Sequence, residues 1–194
     1  MTQTTPCLIC ERRVHPNRTR NVCGAAVCDQ CEVSNMENLW HHRGGRLVYD
    51  MSTATGGRDQ ASVSTQWMLE GRTDVPGELQ LKLTREGLGK KLGKLFGKKE
   101  LQVDDPLFDD LVHVSVAPGQ RPLAAEFLSH EGVLSVIMEL VSMGGQLWIR
   151  GAEFKSDGVS NRMLNPQELG LLGSVLLTHL QRFAQNGGRW DDQV

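Results

Sequence analysis

Leu79, Leu81 and Leu83 alternate with Gln80, Lys82 and Thr84, and Val112, Val114 and Val116 alternate with His113 and Ser115. A period of two turns one set toward a core and the other toward water, so both segments predict half-buried strands. Two more β-compatible runs, Leu47–Met51 and Val63–Leu69, flank the turn-rich Thr55-Gly56-Gly57-Arg58-Asp59. Leu147-Trp148-Ile149 adds a short apolar strand after the double glycine Gly144-Gly145.

Past residue 120 the period changes. Pro122 suits a first helical position, and Leu123, Phe127 and Leu128 follow at helical spacing. Val133, Leu134, Ile137, Met138 and Val141 continue an apolar face after an expected break at Glu131-Gly132. Asn165, Pro166 and Glu168 stand in the order N-cap, N1 and N3, a capping-box arrangement. Behind them Leu169, Leu172, Leu176, Leu180 and Phe183 line one side, until Gly187-Gly188 ends the helix. Strands come first and helices late, without βαβ alternation, so the fold class is α+β with antiparallel strands. The expected organisation is a small module over 1–45, an α+β domain over 46–188, and a frayed, flexible tail over 189–194.

Composition narrows the class. A hydrophobic content of 39% with 23% charged residues belongs to a soluble globular chain, and aromatics at 5% leave the core to Leu, Val, Ile and Met. A net charge of −2 argues against a surface built wholly for nucleic acid. The N-terminus MTQTTPCLIC has no basic segment leading into an apolar one, so no secretory signal is read. The apolar stretch Val133–Ile149 contains Glu139 and Gly144-Gly145, which predicts a buried helix and a strand rather than a membrane span. Five cysteines without a signal peptide point to a reducing compartment, the cytoplasm.

The strongest chemical statement is two Cys-x-x-Cys pairs, Cys7/Cys10 and Cys28/Cys31, with seventeen residues between them. Four thiolates in two pairs can close a tetrahedron around one Zn²⁺, and such a site keeps no open position for a substrate. One structural zinc ion, bound by Cys7, Cys10, Cys28 and Cys31, is therefore the expected cofactor. Cys28 and Cys31 precede a helix-compatible run, Glu32 to Trp40, whose N-terminus would stabilise thiolate. Knuckle, hairpin, then helix is a treble-clef layout. With so few apolar side chains, the module needs the metal to fold. Cys23 is expected to be a small buried hydrophobe, and His15, His41 and His42 ordinary surface residues.

The paired spacing is similar to that of GATA-type fingers, without their aromatic-basic segment between the pairs. The string Arg20-Asn21-Val22-Cys23-Gly24-Ala25-Ala26-Val27-Cys28-Asp29-Gln30-Cys31 resembles the second half of a FYVE-type finger. That resemblance implies one zinc shared by Cys7, Cys10, Cys28 and Cys31, with the ligands of a second zinc and the basic phosphoinositide motif missing. Asp105-Pro106-Leu107-Phe108-Asp109, Leu123 to Leu128 and Leu147-Trp148-Ile149 together also resemble a bacterial domain of unknown function. This implies an architecture and no activity.

Other candidates carry less. Arg12, Arg13, Arg18, Arg20 and Arg43 give the module a basic balance that could meet phosphates. Residues 88–99, LGKKLGKLFGKK, hold five lysines in an amphipathic order, and the acidic stretch Glu100 to Asp110 follows at once, so mutual neutralisation within the fold is expected over membrane contact. The run DDPLFDD is read as an acidic turn. No catalytic motif such as G-x-S-x-G, a P-loop or H-E-x-x-H occurs, and His113, His130 and His179 have no partner identifiable in sequence. The expected function is thus a zinc-binding, non-enzymatic interaction protein with a protein partner or a second copy of itself. Nucleic-acid binding through the basic finger is the alternative, and an enzyme with an unrecognised site in the larger domain is the third. An enzyme would need those histidines to gather with other titratable groups.

Overall fold

A computed structural model of the chain describes residues 4–34, 45–56, 60–74, 77–85 and 101–190. The lysine-rich segment 88–99, Glu100, His41, His42, Arg43, and the expected helix beyond Ser34 lie outside the described residues. Those present form an α+β fold.

The module holds two short hairpins: β1 (Thr5–Pro6) with β2 (Arg13–Val14), and β3 (Thr19–Val22) with β4 (Ala25–Cys28). A 3₁₀ turn over Pro16–Arg18 joins them, and a π-helical turn over Gln30–Ser34 follows β4. The β3–β4 hairpin closes on Cys23-Gly24, both at positive φ (51° and 81°). Two such residues in succession make the turn whose twist matches antiparallel strands. This is why a Cys-Gly pair stands there.

The larger part is one antiparallel sheet of six strands: β5 (Arg46–Gly56), β6 (Gln60–Arg72), β7 (Gln80–Arg85), β8 (Val112–Val116), β9 (Gly145–Arg150) and β10 (Glu153–Ser160). Their spatial order is β5-β6-β10-β9-β7-β8. The alternating segments behave as their period requires, with Leu81, Leu83, Val112 and Val114 buried. β10 has no counterpart in the sequence reading. Its inward positions include Ser156 and Gly158, so no apolar run marks it. Gly158 lies against Gly145, where a Cβ would sit 2.7 Å from the neighbouring Cα.

Four helices, α1 (Pro106–Leu111), α2 (Arg121–Leu128), α3 (Glu131–Ser142) and α4 (Pro166–Gln185), pack on one face of this sheet. The expected break falls at Ser129-His130, and the His130 Nδ1 caps α3 by accepting from Gly132 N at 3.1 Å. Asn165 caps α4 by accepting from Gln167 N at 2.9 Å. Leu169, Leu176 and Leu180 are buried against the sheet; a fully buried leucine of this kind contributes about 1.5–3 kcal/mol.

One expectation needs correction. The acidic run forms helix α1 rather than a turn, because Asp105 Oδ1 accepts from Leu107 N and Phe108 N (2.9 and 3.1 Å) and Pro106 fills the first turn. Asp109 Oδ1 accepts from Val103 N, so these aspartates serve local backbone. Of the expected tail over 189–194, Arg189 and Trp190 lie among the described residues. Trp190 stacks on Phe127, packs at a tilt against Phe183 and His130, and donates from Nε1 to Glu126 O at 2.8 Å. The core runs from Ile9, Val22 and Val27 of the module through Leu69 and Leu147 of the sheet to Phe183.

Candidate metal centre

The Cys7–Cys10 knuckle sits between β1 and β2. Glu11, at φ 62°, turns the chain so that Cys7 N donates to Arg12 O and Glu11 N to Cys7 O, both at 2.9 Å. Leu8 N reaches across to Ala26 O at 2.8 Å and lays the knuckle on strand β4. Cys28 ends that strand, and Cys31 lies in the π-helical turn after it. Local hydrogen bonding therefore brings together residues that are up to twenty-four positions apart.

The four sulfur atoms of Cys7, Cys10, Cys28 and Cys31 lie within 4.8 Å of one another, three of them buried and Cys10 half-buried. Cys10 Sγ and Cys28 Sγ are 3.8 Å apart. Zn–S bonds of about 2.3 Å in a tetrahedron require sulfur separations of about 3.8 Å. Cys28 N also points at Cys7 Sγ, 3.4 Å away. The donor set thus fits a metal ion, and the residues that would hold it are the four expected from the spacing.

The electrostatics ask for a cation. Burial pushes the Cys7 thiol up, but the N–H groups of Cys10, Cys28 and Ile9 outweigh it and bring it down to about 7. Burial raises Cys10 and Cys31, and the neighbouring sulfurs of Cys28 and Cys10 push Cys31 up further. Four adjacent thiols cannot all ionise in this setting without a positive charge among them. Cys23 stands apart, at the tip of the β3–β4 hairpin, with burial and then Glu139 pushing its thiol up to about 11.

The centre is fastened to the helical layer. Arg182 of α4 donates to Leu8 O at 3.3 Å and faces Glu11 at 3.7 Å. Glu168, in the first turn of α4, faces Arg20 at 3.6 Å. Gly24, at the hairpin tip, lies beside Gly132 of α3, where a Cβ would be in ordinary van der Waals contact with its Cα at 3.9 Å.

The module's arginines are largely engaged. Arg18 donates twice to Asp29 Oδ2 (2.9 and 2.7 Å), Arg20 pairs with Glu32 at 2.7 Å, and Arg12 donates to Gln30 at 3.1 Å. Arg13 is exposed. His15 accepts from Asn17 N and caps the 3₁₀ turn. Among the other histidines the fold joins two: His130 and His179 have ring centroids 4.8 Å apart. His179 is buried, its Nε2 has no hydrogen-bond partner among the described residues, and burial holds its pKa down to about 3. His113 lies elsewhere, on edge strand β8.

The sheet face away from the helices is a second surface that spacing could not reveal. Strand register aligns Arg46, Glu70, Lys155, Trp148 and Lys82 across β5, β6, β10, β9 and β7. Glu70 pairs with Arg46 (3.0 Å) and Lys155 (3.6 Å), Arg72 pairs with Glu153 (3.4 Å), and Lys82 Nζ lies 5.0 Å from the Trp148 ring centroid. Among the described residues Lys82 and Arg150 form no ion pair. A shallow groove of about 640 Å³ lies over this face, between Glu70, Arg72, Trp148, Arg150 and Lys155. Among the described residues no helix is long and apolar enough to cross a membrane. Comparison of the chain with models of protein families, with characterised proteins and with solved structures finds no match.

Proposed function

We propose that this chain is a zinc-binding, non-enzymatic interaction protein. Its Cys₄ centre is structural, and the sheet face away from the described helices receives an acidic segment of a protein partner. The observation that carries the metal assignment is the closed group of four sulfurs at tetrahedral spacing. Thiolate-only sets of this kind suit Zn²⁺, and a saturated tetrahedron is a structural site rather than a catalytic one. Knuckle, hairpin and helical turn follow one another in the order of a treble-clef finger, which supports that family of folds for residues 1–45.

The partner assignment rests on the sheet. Helices cover one face of the six strands, and the other presents Trp148 beside Lys82, Lys155 and Arg150. Among the described residues Lys82 and Arg150 form no ion pair while Lys155 pairs with Glu70, and cations next to an indole offer an acidic peptide both charge and apolar contact. Nucleic-acid binding through the finger is less well supported, because Arg18 and Arg20 are already bound to Asp29, Glu32 and Glu168.

The test is affinity capture from the native host with the zinc-loaded chain, repeated with Lys82→Glu/Arg150→Glu and with Cys28→Ser. An acidic protein captured by the native chain and lost with the sheet-face double variant supports the assignment. Capture unaffected by the double variant, or lost only with Cys28→Ser, moves the recognition surface to the finger and contradicts it.

A further inference from the structure

The two edges of the six-stranded sheet differ. β8 is short, spans Val112–Val116, stops before Pro118 and carries helix α1 beside it. β5 has eleven residues, Arg46–Gly56, with neither lysine nor proline among them. Soluble proteins blunt exposed edges by shortening, lysine, proline or bulges, because a bare edge offers a row of free N–H and C=O groups to another strand. β5 shows none of these devices, and its register with β6 runs unbroken from Arg46↔Glu70 to Gly56↔Gln60. Val48 and Met51, on opposite faces of the strand, are 44% and 45% exposed.

Among the described residues, the outer half of this hairpin also has no third strand beside it. β10 pairs with β6 only between Thr65 and Arg72. Ser52–Gly56 and Gln60–Ser64 therefore form a two-stranded ribbon that extends beyond the third strand. Two-stranded ribbons are marginal in water, and a third strand is what stabilises them.

We propose that β5 pairs antiparallel with β5 of a second copy of this chain about a two-fold axis at Met51. The geometry favours a second copy over a foreign strand, since this register solves both problems at once. It places the unsupported Ser52–Gly56 of each copy along the sheet-backed Arg46–Asp50 of the other, so each ribbon gains its third strand. Met51 then meets its own symmetry mate. The strand's two charged residues, Arg46 and Asp50, fall opposite Gly56 and Ser52 of the second copy, so no like charges meet. The product is a continuous twelve-stranded sheet with its open face doubled. This goes beyond the metal assignment and stands on the sheet alone.

Sedimentation equilibrium of the full zinc-loaded chain is the test, with zinc content measured on each sample. The native chain is expected at twice its 21.5 kDa monomer mass. Met51→Lys and Val48→Lys, each placing an ammonium at the new interface from opposite faces, are expected at monomer mass with unchanged far-ultraviolet circular dichroism. Should one edge variant unfold, the other carries the comparison. Val159→Lys, exposed on β10 away from the edge, is expected to leave the dimer intact. A monomeric native chain, a dimer persisting in a folded edge variant, or equal loss in Val159→Lys overturns the proposal. A monomer with full zinc content does so while leaving the metal assignment standing.

Discussion

Arg182, near the end of helix α4, donates its guanidinium to the carbonyl oxygen of Leu8, inside the Cys7–Cys10 knuckle, at 3.3 Å. One residue thus ties the cysteine cluster to α4, the longest helix among the described residues. Glu11 sits beside the same guanidinium at 3.7 Å and turns the knuckle at positive φ. The knuckle that carries Cys7 and Cys10 and the C-terminal part of α4 meet at this contact.

Arg182→Met keeps the aliphatic stem and removes the donor. Its expected cost is about 1–2 kcal/mol of folding stability, the scale of a partly buried charge-assisted hydrogen bond. Zinc should also transfer faster to a chelator, since the knuckle is no longer held. Urea denaturation and transfer to a chromogenic chelator check the two effects; unchanged transfer kinetics would mean the contact does not reach the centre.

Cys28→Ser and Cys23→Asn separate ligand from bystander. Cys28→Ser removes one corner of the tetrahedron and is expected to lose the metal with several kcal/mol of stability. Cys23 lies at φ 51° before Gly24, a position where asparagine is the better-suited residue. Cys23→Asn should retain full metal content and lie within about 1 kcal/mol of the native chain. Elemental analysis of the two purified variants distinguishes them, and metal loss from Cys23→Asn would make that residue part of the site.

His179 predicts an acid limit. Its neutral imidazole is buried beside His130, Trp190 and Arg182, with Glu131 of α3 near His130, and burial first, then His130 and Arg182, hold its pKa down to about 3. The folded-state value lies below the unfolded value, so this residue's share of stability is complete above about pH 6.5 and is lost as the pH falls toward 3. The slope approaches about 1.4 kcal/mol per pH unit in that window. His179→Met should flatten the difference in urea stability between pH 6.5 and 5 relative to the native chain. Parallel curves for the two proteins would contradict a buried neutral histidine.

Trp190 predicts a cost at the C-terminus. Trp190→Ala opens the contact with Phe127, Phe183 and His130 and leaves Glu126 O without its donor. About 2 kcal/mol of destabilisation is expected for a half-buried indole, below the range for a full core position. A thermal midpoint equal to the native one would place this residue in the solvent tail.

Much of this architecture was legible because periods and caps are local signals. Leu79 to Leu83 and Val112 to Val116 alternate, Asn165 and Pro166 open α4, and the double Cys-x-x-Cys marks the four cysteines that come together. What could not be read is set by distant partners. β10 is a strand because Gly158 fits against Gly145 and Ser156 Oγ donates to Gln146 O at 2.9 Å, neither of which is a hydrophobic pattern. Helix α1 hides behind its own acidity, since Asp105 and Asp109 bond to nearby backbone rather than facing solvent alone. The capping box is only half made: Glu168 turns to Arg20, a partner 148 positions away that no local pattern could name. Lys82, Trp148 and Lys155 meet only through the register of three strands.

The central claim is that four cysteines hold one structural zinc ion on which the fold of residues 4–34 depends. Elemental analysis of the natively purified chain, combined with circular dichroism during thiol-selective metal extraction, tests it most directly. One zinc per chain is predicted, released stoichiometrically with the loss of ordered structure in the module. A metal-free chain that keeps the same spectrum and the same thermal midpoint would contradict it.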